Sequence, residues 1–177
     1  MAAPDSLKVF RVPGKLIVNP TNAVGPTYGG TILGSVLRVH FDTGIRYARN
    51  YFDEIGRTGE ITAVQKDALF RFTLRGWDND ALDRFFPASS SGLITVGSGQ
   101  GPMSATRAEK YLWAADRPTE HPSIVLTNAI PLIEADELSL RFSILFELNV
   151  VISLLALPAS VGDPTCAKIG LVSGLPL

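Results

Sequence analysis

Between Leu138 and Val150 the chain alternates almost without a break. Leu138, Leu140, Phe142, Ile144, Phe146, Leu148 and Val150 fall on one face, and Ser139, Arg141, Ser143, Glu147 and Asn149 on the other; Leu145 is the one interruption. A period of two belongs to a β-strand with one buried face, whereas the apolar stripe of a helix returns every 3.6 residues. Such a strand needs a sheet around it and a second wall to bury its face against. The pattern therefore predicts a β architecture, with one long strand over Leu138–Val151. Extended to Leu157, the segment is long enough to cross a bilayer. Arg141, Glu147 and Asn149 lie inside it, however, and charges at that depth are expensive, so it reads as a strand of a soluble protein.

The rest of the chain offers partners for this strand. Lys8–Val12 and Lys15–Val18 are strand-like runs separated by Pro13-Gly14, and Ile32–Phe41 is a third. Asp42-Thr43-Gly44 reads as a hairpin turn into Ile45–Phe52, and Asp53–Thr62 as a polar link. In Asp67–Pro87 a strand through Phe70, Phe72, Thr73 and Leu74 is broken at Gly76. A short helix follows, with Asp78 as its cap, Ala81, Leu82, Phe85 and Phe86 at helical spacing, and Pro87 as its stop. Leu82, Phe85 and Phe86 would clamp helix to strand, and replacing Trp77 or Phe86 by alanine should disturb folding.

Leu93–Val96 is a brief strand, and Ala105–Ala115 is either a second short helix or extended. Ser123–Thr127 and Ala129–Ile133 look like strands about an irregularity at Asn128, with Pro131 marking an edge or a bulge. The expected fold is mainly β: a β-sandwich or partly closed barrel with one flanking short α-helix, as a single domain over residues 1–177. A turn-rich loop at about 19–31 is expected to be mobile, and a small-residue tail at about 158–177 to be extended.

Chemistry is sparse. His40 and His121 are the only histidines, and Cys166 is the only cysteine, which excludes an intrachain disulfide and a Cys-rich zinc site. No G-x-S-x-G elbow accompanies the histidines. Asp78, Asp80 and Asp83 miss the EF-hand spacing and suit a helix start, where acidic groups complement the dipole. Glu134, Asp136 and Glu137 read as a solvated turn.

Gly97-Ser98-Gly99-Gln100-Gly101-Pro102 lacks the spacing of a phosphate loop, and Pro102 removes a donor that a phosphate would use. Arg38, His40, Arg46, Tyr47, Arg49 and Tyr51 could face nucleic acid, but Asp42, Asp53 and Glu54 dilute their field and a solvated sheet face explains them better. Trp77 and Trp113 read as core or interface anchors. Net charge is −1, so no basic balance advertises phosphate binding. The N-terminus, MAAPDSLKVFRV, carries no apolar core of signal-peptide length. No catalytic, cofactor-binding or metal-ligating residue is predicted, and the chain is expected to be no enzyme.

The stretch FRFTLRGWDNDALDRFFP resembles a segment of the tail-tube (major tail) proteins of long-tailed bacteriophages. Asp78, Leu82 and Phe86 stand at the positions of that family's x-D-x-x-x-L-x-x-x-F pattern. VPGKLIVNP followed by YGGTILGSV is also similar to the way such proteins begin, so the resemblance covers about the first half of the chain. It implies a structural virion protein whose copies form rings, hexamers by the family's habit, stacked into a tube through which DNA passes without sequence-specific binding.

Its partners would be itself and other tail proteins, with no cofactor and no membrane insertion. Its place would be the virion tail, after assembly in the host cytoplasm. The Arg/Tyr limb and the Pro20–Gly30 loop would then serve ring contacts, and shortening the loop should spare the fold. A tail terminator or head–tail connector, or a monomeric β-sandwich binding module, are the alternative readings.

Overall fold

The computed structural model describes residues 14–43, 45–51, 58–65, 68–75, 79–85, 89–90, 93–94, 108–132, 141–142, 148–160, 162–163 and 165–177. In chain order the elements begin with β1 (Gly14–Val18), β2 (Thr31–Asp42), β3 (Ile45–Tyr51), β4 (Thr58–Gln65), β5 (Ala68–Arg75) and α1 (Asn79–Phe85). There follow β6 (Ser89–Ser90), β7 (Leu93–Ile94), β8 (Glu109–Ala115), β9 (Ser123–Leu132), β10 (Arg141–Phe142), β11 (Leu148–Ala156) and β12 (Ala167–Gly170). A 3-10 turn at Val172–Gly174 comes last.

Neighbouring strands run in the order β11-β5-β2-β1-β8-β9, all antiparallel, and β9 pairs back onto β11. The sheet thus closes into a six-stranded barrel. The closing contact joins β9 to β11 over four couples, where a β-sandwich or partly closed barrel was expected.

The seam is shared between four strands. Along one edge of β9, Ser123–Leu126 pair with β12 and Ala129–Leu132 with β11. At the changeover the Thr127 N–H donates to the Cys166 carbonyl at 3.2 Å, and the Leu157 N–H donates to the Asn128 carbonyl at 2.7 Å. On the opposite edge the β8 register slips between Glu109 and Tyr111, so the irregularity expected at Asn128 is a bulge. Pro131 pairs with Leu154 of β11 and lies beyond Ala129, the last residue paired with β8. Its missing N–H therefore costs no ladder bond.

Alternation divides the apolar residues into two cores. Leu16 and Val18, Phe70, Phe72 and Leu74, Tyr111 and Trp113, Ile124 and Leu126, and Ile152 and Leu154 fill the barrel. An aromatic chain runs through it: Phe41 to Phe70 at 6.2 Å, Phe70 to Phe72 at 5.3 Å, Phe72 to Phe85 at 6.2 Å and Phe85 to Tyr111 at 6.4 Å between ring centroids. Ala81 and Phe85 of α1 belong to this interior cluster. The helix follows β5 and thereby covers the mouth where β1 ends and β8 begins. On the outside of β1, β8 and β9, Ile17, Leu112, Ala114 and Val125 form a second cluster, covered by Tyr28 of the β1–β2 loop and Val172 of the C-terminal segment.

Several elements differ from the sequence reading. Residues 138–140 and 143–147 lie outside the described residues, but Phe142 pairs with Leu148 and Arg141 with Asn149, antiparallel. The alternating stretch therefore holds two antiparallel strands rather than one long one. Alternation could not reveal the reversal, because each paired couple shares parity.

Nor does Asp42-Thr43-Gly44 join a hairpin: β2 pairs with β1 and β5, while β3 pairs with β4, which occupies part of the presumed polar link. Ala105–Ala115 contains a strand, and the 158–177 tail contributes β12. The Asn19–Gly30 loop is ordered by its own bonds, Thr21 N–H to Tyr28 O at 2.8 Å and Gly30 N–H to Thr27 O at 3.0 Å among them. Lys8–Val12, Trp77, Asp78 and Phe86 lie outside the described residues.

Candidate interaction surfaces

Along the chain the β2–β5 ladder of the barrel sheet is followed by the β3–β4 ladder, a separate two-stranded sheet. The first ends at Asp42 opposite Leu69, and the second resumes at Ile45 opposite Gln65 and runs to Tyr51 opposite Thr58. The first is barrel wall. The second pairs with no other described strand, so it forms an arm. At 7 residues, β3 reaches about 20 Å at ~3.3 Å per residue. Arg46, Tyr47, Arg49 and Tyr51 are all on this arm, opposite Val64, Ala63, Ile61 and Thr58. At its root, β2 is bulged between Leu37 and His40, with Arg38 at φ 53° and exposed. A bulge there adds twist and re-aims the outgoing ribbon.

At the mouth covered by α1, one carboxylate ties three elements together. Glu109 accepts from Arg84 of α1 through both oxygens, from Asn19 Nδ2 of the β1–β2 loop at 3.1 Å, and from the Tyr111 hydroxyl at 3.3 Å. The Arg84 and Glu109 side chains are 30% and 26% exposed, so the pair is only partly screened by water. The hydrogen bond to Glu109 raises the Arg84 pKa above its already high ordinary value, and the guanidinium stays charged across the working pH range. The arrangement is a clasp holding the helix and the loop on the barrel mouth. Sequence reasoning missed it, since Asn19, Arg84 and Glu109 are far apart in the chain.

The residues weighed for chemistry are not brought together. His40 is exposed on β2, and His121 lies in the turn before β9, with β1 and β8 between those strands. Cys166 is buried in the interior cluster. Asp80 sits exposed in the first turn of α1, and Asp83 lies further along the helix. Trp113 is an interior anchor, 2% exposed. Glu134, Asp136, Glu137 and the Gly97–Pro102 loop lie outside the described residues. Among the described residues no group of three or more His, Cys, Asp or Glu could hold a metal ion.

A cleft of about 190 Å³ opens between Lys15, Tyr28, Pro26, Asp116 and Pro118, smaller than the roughly 300–1,000 Å³ usual for ligand pockets. Among the described residues, no helix is long and apolar enough to cross a membrane. The chain matches no family model and no curated protein. Its surfaces therefore have to be judged on geometry. The arm is one, and the exposed apolar groups are another: Val24 at 74%, Ile169 at 56% and Leu171 at 45% exposure. Val24 lies on the β1–β2 loop, Ile169 on β12, and Leu171 just after it.

Proposed function

We propose that this chain is the ring-forming subunit of a bacteriophage tail tube, a structural protein that acts by assembling. Six copies would close a ring and rings would stack, leaving a lumen through which DNA passes without sequence-specific contact. The chain would then sit in the virion tail after assembly in the host cytoplasm, with itself and other tail proteins as partners and no catalytic role.

The resemblance of Asp67–Pro87 and of the N-terminal segment supplies the family. One observation carries the assembly: the β3–β4 arm, which its own chain leaves unpaired among the described residues. An isolated two-stranded ribbon is marginally stable in water, so an arm this long calls for a neighbour. The Arg/Tyr limb would serve contacts between copies rather than line the lumen, where many Arg–phosphate contacts would hold DNA back.

Size-exclusion chromatography with light scattering, followed by negative-stain microscopy, tests the proposal. Stacked rings or tubes are the expected result. A single closed ring would point instead to a terminator or connector, and a monomer at high concentration would overturn both.

A further inference from the structure

We propose that the open edge of β12 in one copy receives the β3–β4 arm of a second copy as an added strand. The inference rests on the self-assembly reading above and names the two surfaces that meet.

The phase of the β9–β12 ladder shows what β12 offers. In an antiparallel pair, bonded and non-bonded couples alternate. Cys166 O accepts from Thr127 N, and the couples Ala167–Leu126, Lys168–Val125, Ile169–Ile124 and Gly170–Ser123 follow. Cys166, Lys168 and Gly170 thus spend their backbone groups on β9. Ala167 and Ile169 turn theirs to the open side, where no described strand pairs with them. Unpaired strand edges of this kind template the addition of another chain.

The same place is apolar. Ile169 and the adjoining Leu171 are two of the three large hydrophobic side chains exposed among the described residues. An open edge flanked by exposed aliphatics is a surface natural proteins usually blunt, and Lys168 is the only charge on β12.

The arm fits this edge. Apart from β3 and β4, the described strands longer than two residues all belong to the sheet that forms the barrel. With 7 and 8 residues they are longer than the 4 of β12 and can cover it fully. Adding the β12 edge would also give the ribbon the third strand it lacks. Both needs are met by one contact, and repeating it head to tail from copy to copy generates a ring when the rotation between copies closes.

Ile169→Pro tests the contact. Proline removes the N–H that faces the open side and none that serves β9, a substitution edge strands tolerate. The full-length variant should melt within a few degrees of the native chain and lose its rings in chromatography and microscopy. Ile169→Thr, which keeps the N–H, should assemble, at least tenfold more weakly. If Ile169→Pro does not fold, cross-linking decides. Chains carrying Ile169→Cys are mixed with chains carrying Ala48→Cys or Thr62→Cys, and a short bis-maleimide should join the two types; the native chain is the blank.

Native-like rings from a folded Ile169→Pro, or no mixed cross-link while the native chain forms rings, would overturn the contact and leave the tail-tube reading standing. Rings that persist with a lowered melting temperature would mean the edge is already filled from within the chain, and would overturn it too. A native chain that never assembles removes the tail-tube reading itself.

Discussion

Gly14 shows how much one residue can depend on a distant one. A Cβ built there would run into the Trp113 indole and the Ala114 carbonyl, on a strand paired directly with β1. In the sequence, Pro13-Gly14 reads as a break between two runs, and nothing nearby announces that glycine is there to admit an indole. Gly14→Ala should therefore cost about 1–3 kcal/mol, as overpacking does. Urea unfolding should show a lower midpoint at an unchanged slope. Native stability would mean that the indole moves aside freely. The Glu109 clasp was hidden for the same reason: carboxylate, guanidinium and amide come from three separate segments, and no spacing rule links them.

At the scale of elements, the β1–β2 loop has a packing role that its composition did not announce. Its Asn, Pro and Gly residues suggest mobility, yet Tyr28 is 6% exposed and helps to cover Ile17 and Leu112. Trimming the whole loop would uncover that cluster, contrary to the expectation that shortening spares the fold. Tyr28→Ala should cost about 3 kcal/mol in thermal or urea unfolding. Val24→Asp, on the exposed part, should stay within about 0.5 kcal/mol of native and weaken assembly in light scattering. A destabilised Val24→Asp would show that this part of the loop packs as well. Strands Gly14–Val18, Thr31–Asp42 and Ala68–Arg75 were legible from their β-branched and aromatic runs, although only Ala68–Arg75 alternates strictly over one buried face. The pairing of strands was not legible: a turn motif after β2 looked like a hairpin, and shared parity hid the reversal between β10 and β11.

For the molecule as a whole, the β class followed from alternation, but closure did not, since it depends on β9 and β11 meeting over four couples. The wall is also stitched by β1, whose residues 14–18 lie against residues 111–115 of β8. Nearly the whole intervening chain must be synthesised and held in reach before that ladder forms. Folds dominated by such distant pairings take milliseconds to seconds, because loop-closure entropy is lost before the contacts return it. During that interval the arm and the β12 edge are both available to other chains. Refolding followed by tryptophan fluorescence should proceed at a rate independent of protein concentration, while the appearance of rings by light scattering should accelerate with it. A fluorescence phase that quickened with concentration would show that the barrel closes only on a neighbour. On the proposed assembly, the strand order sets a slow step within one chain ahead of the contacts between chains, with crowding between the two as the hazard of making many copies at once.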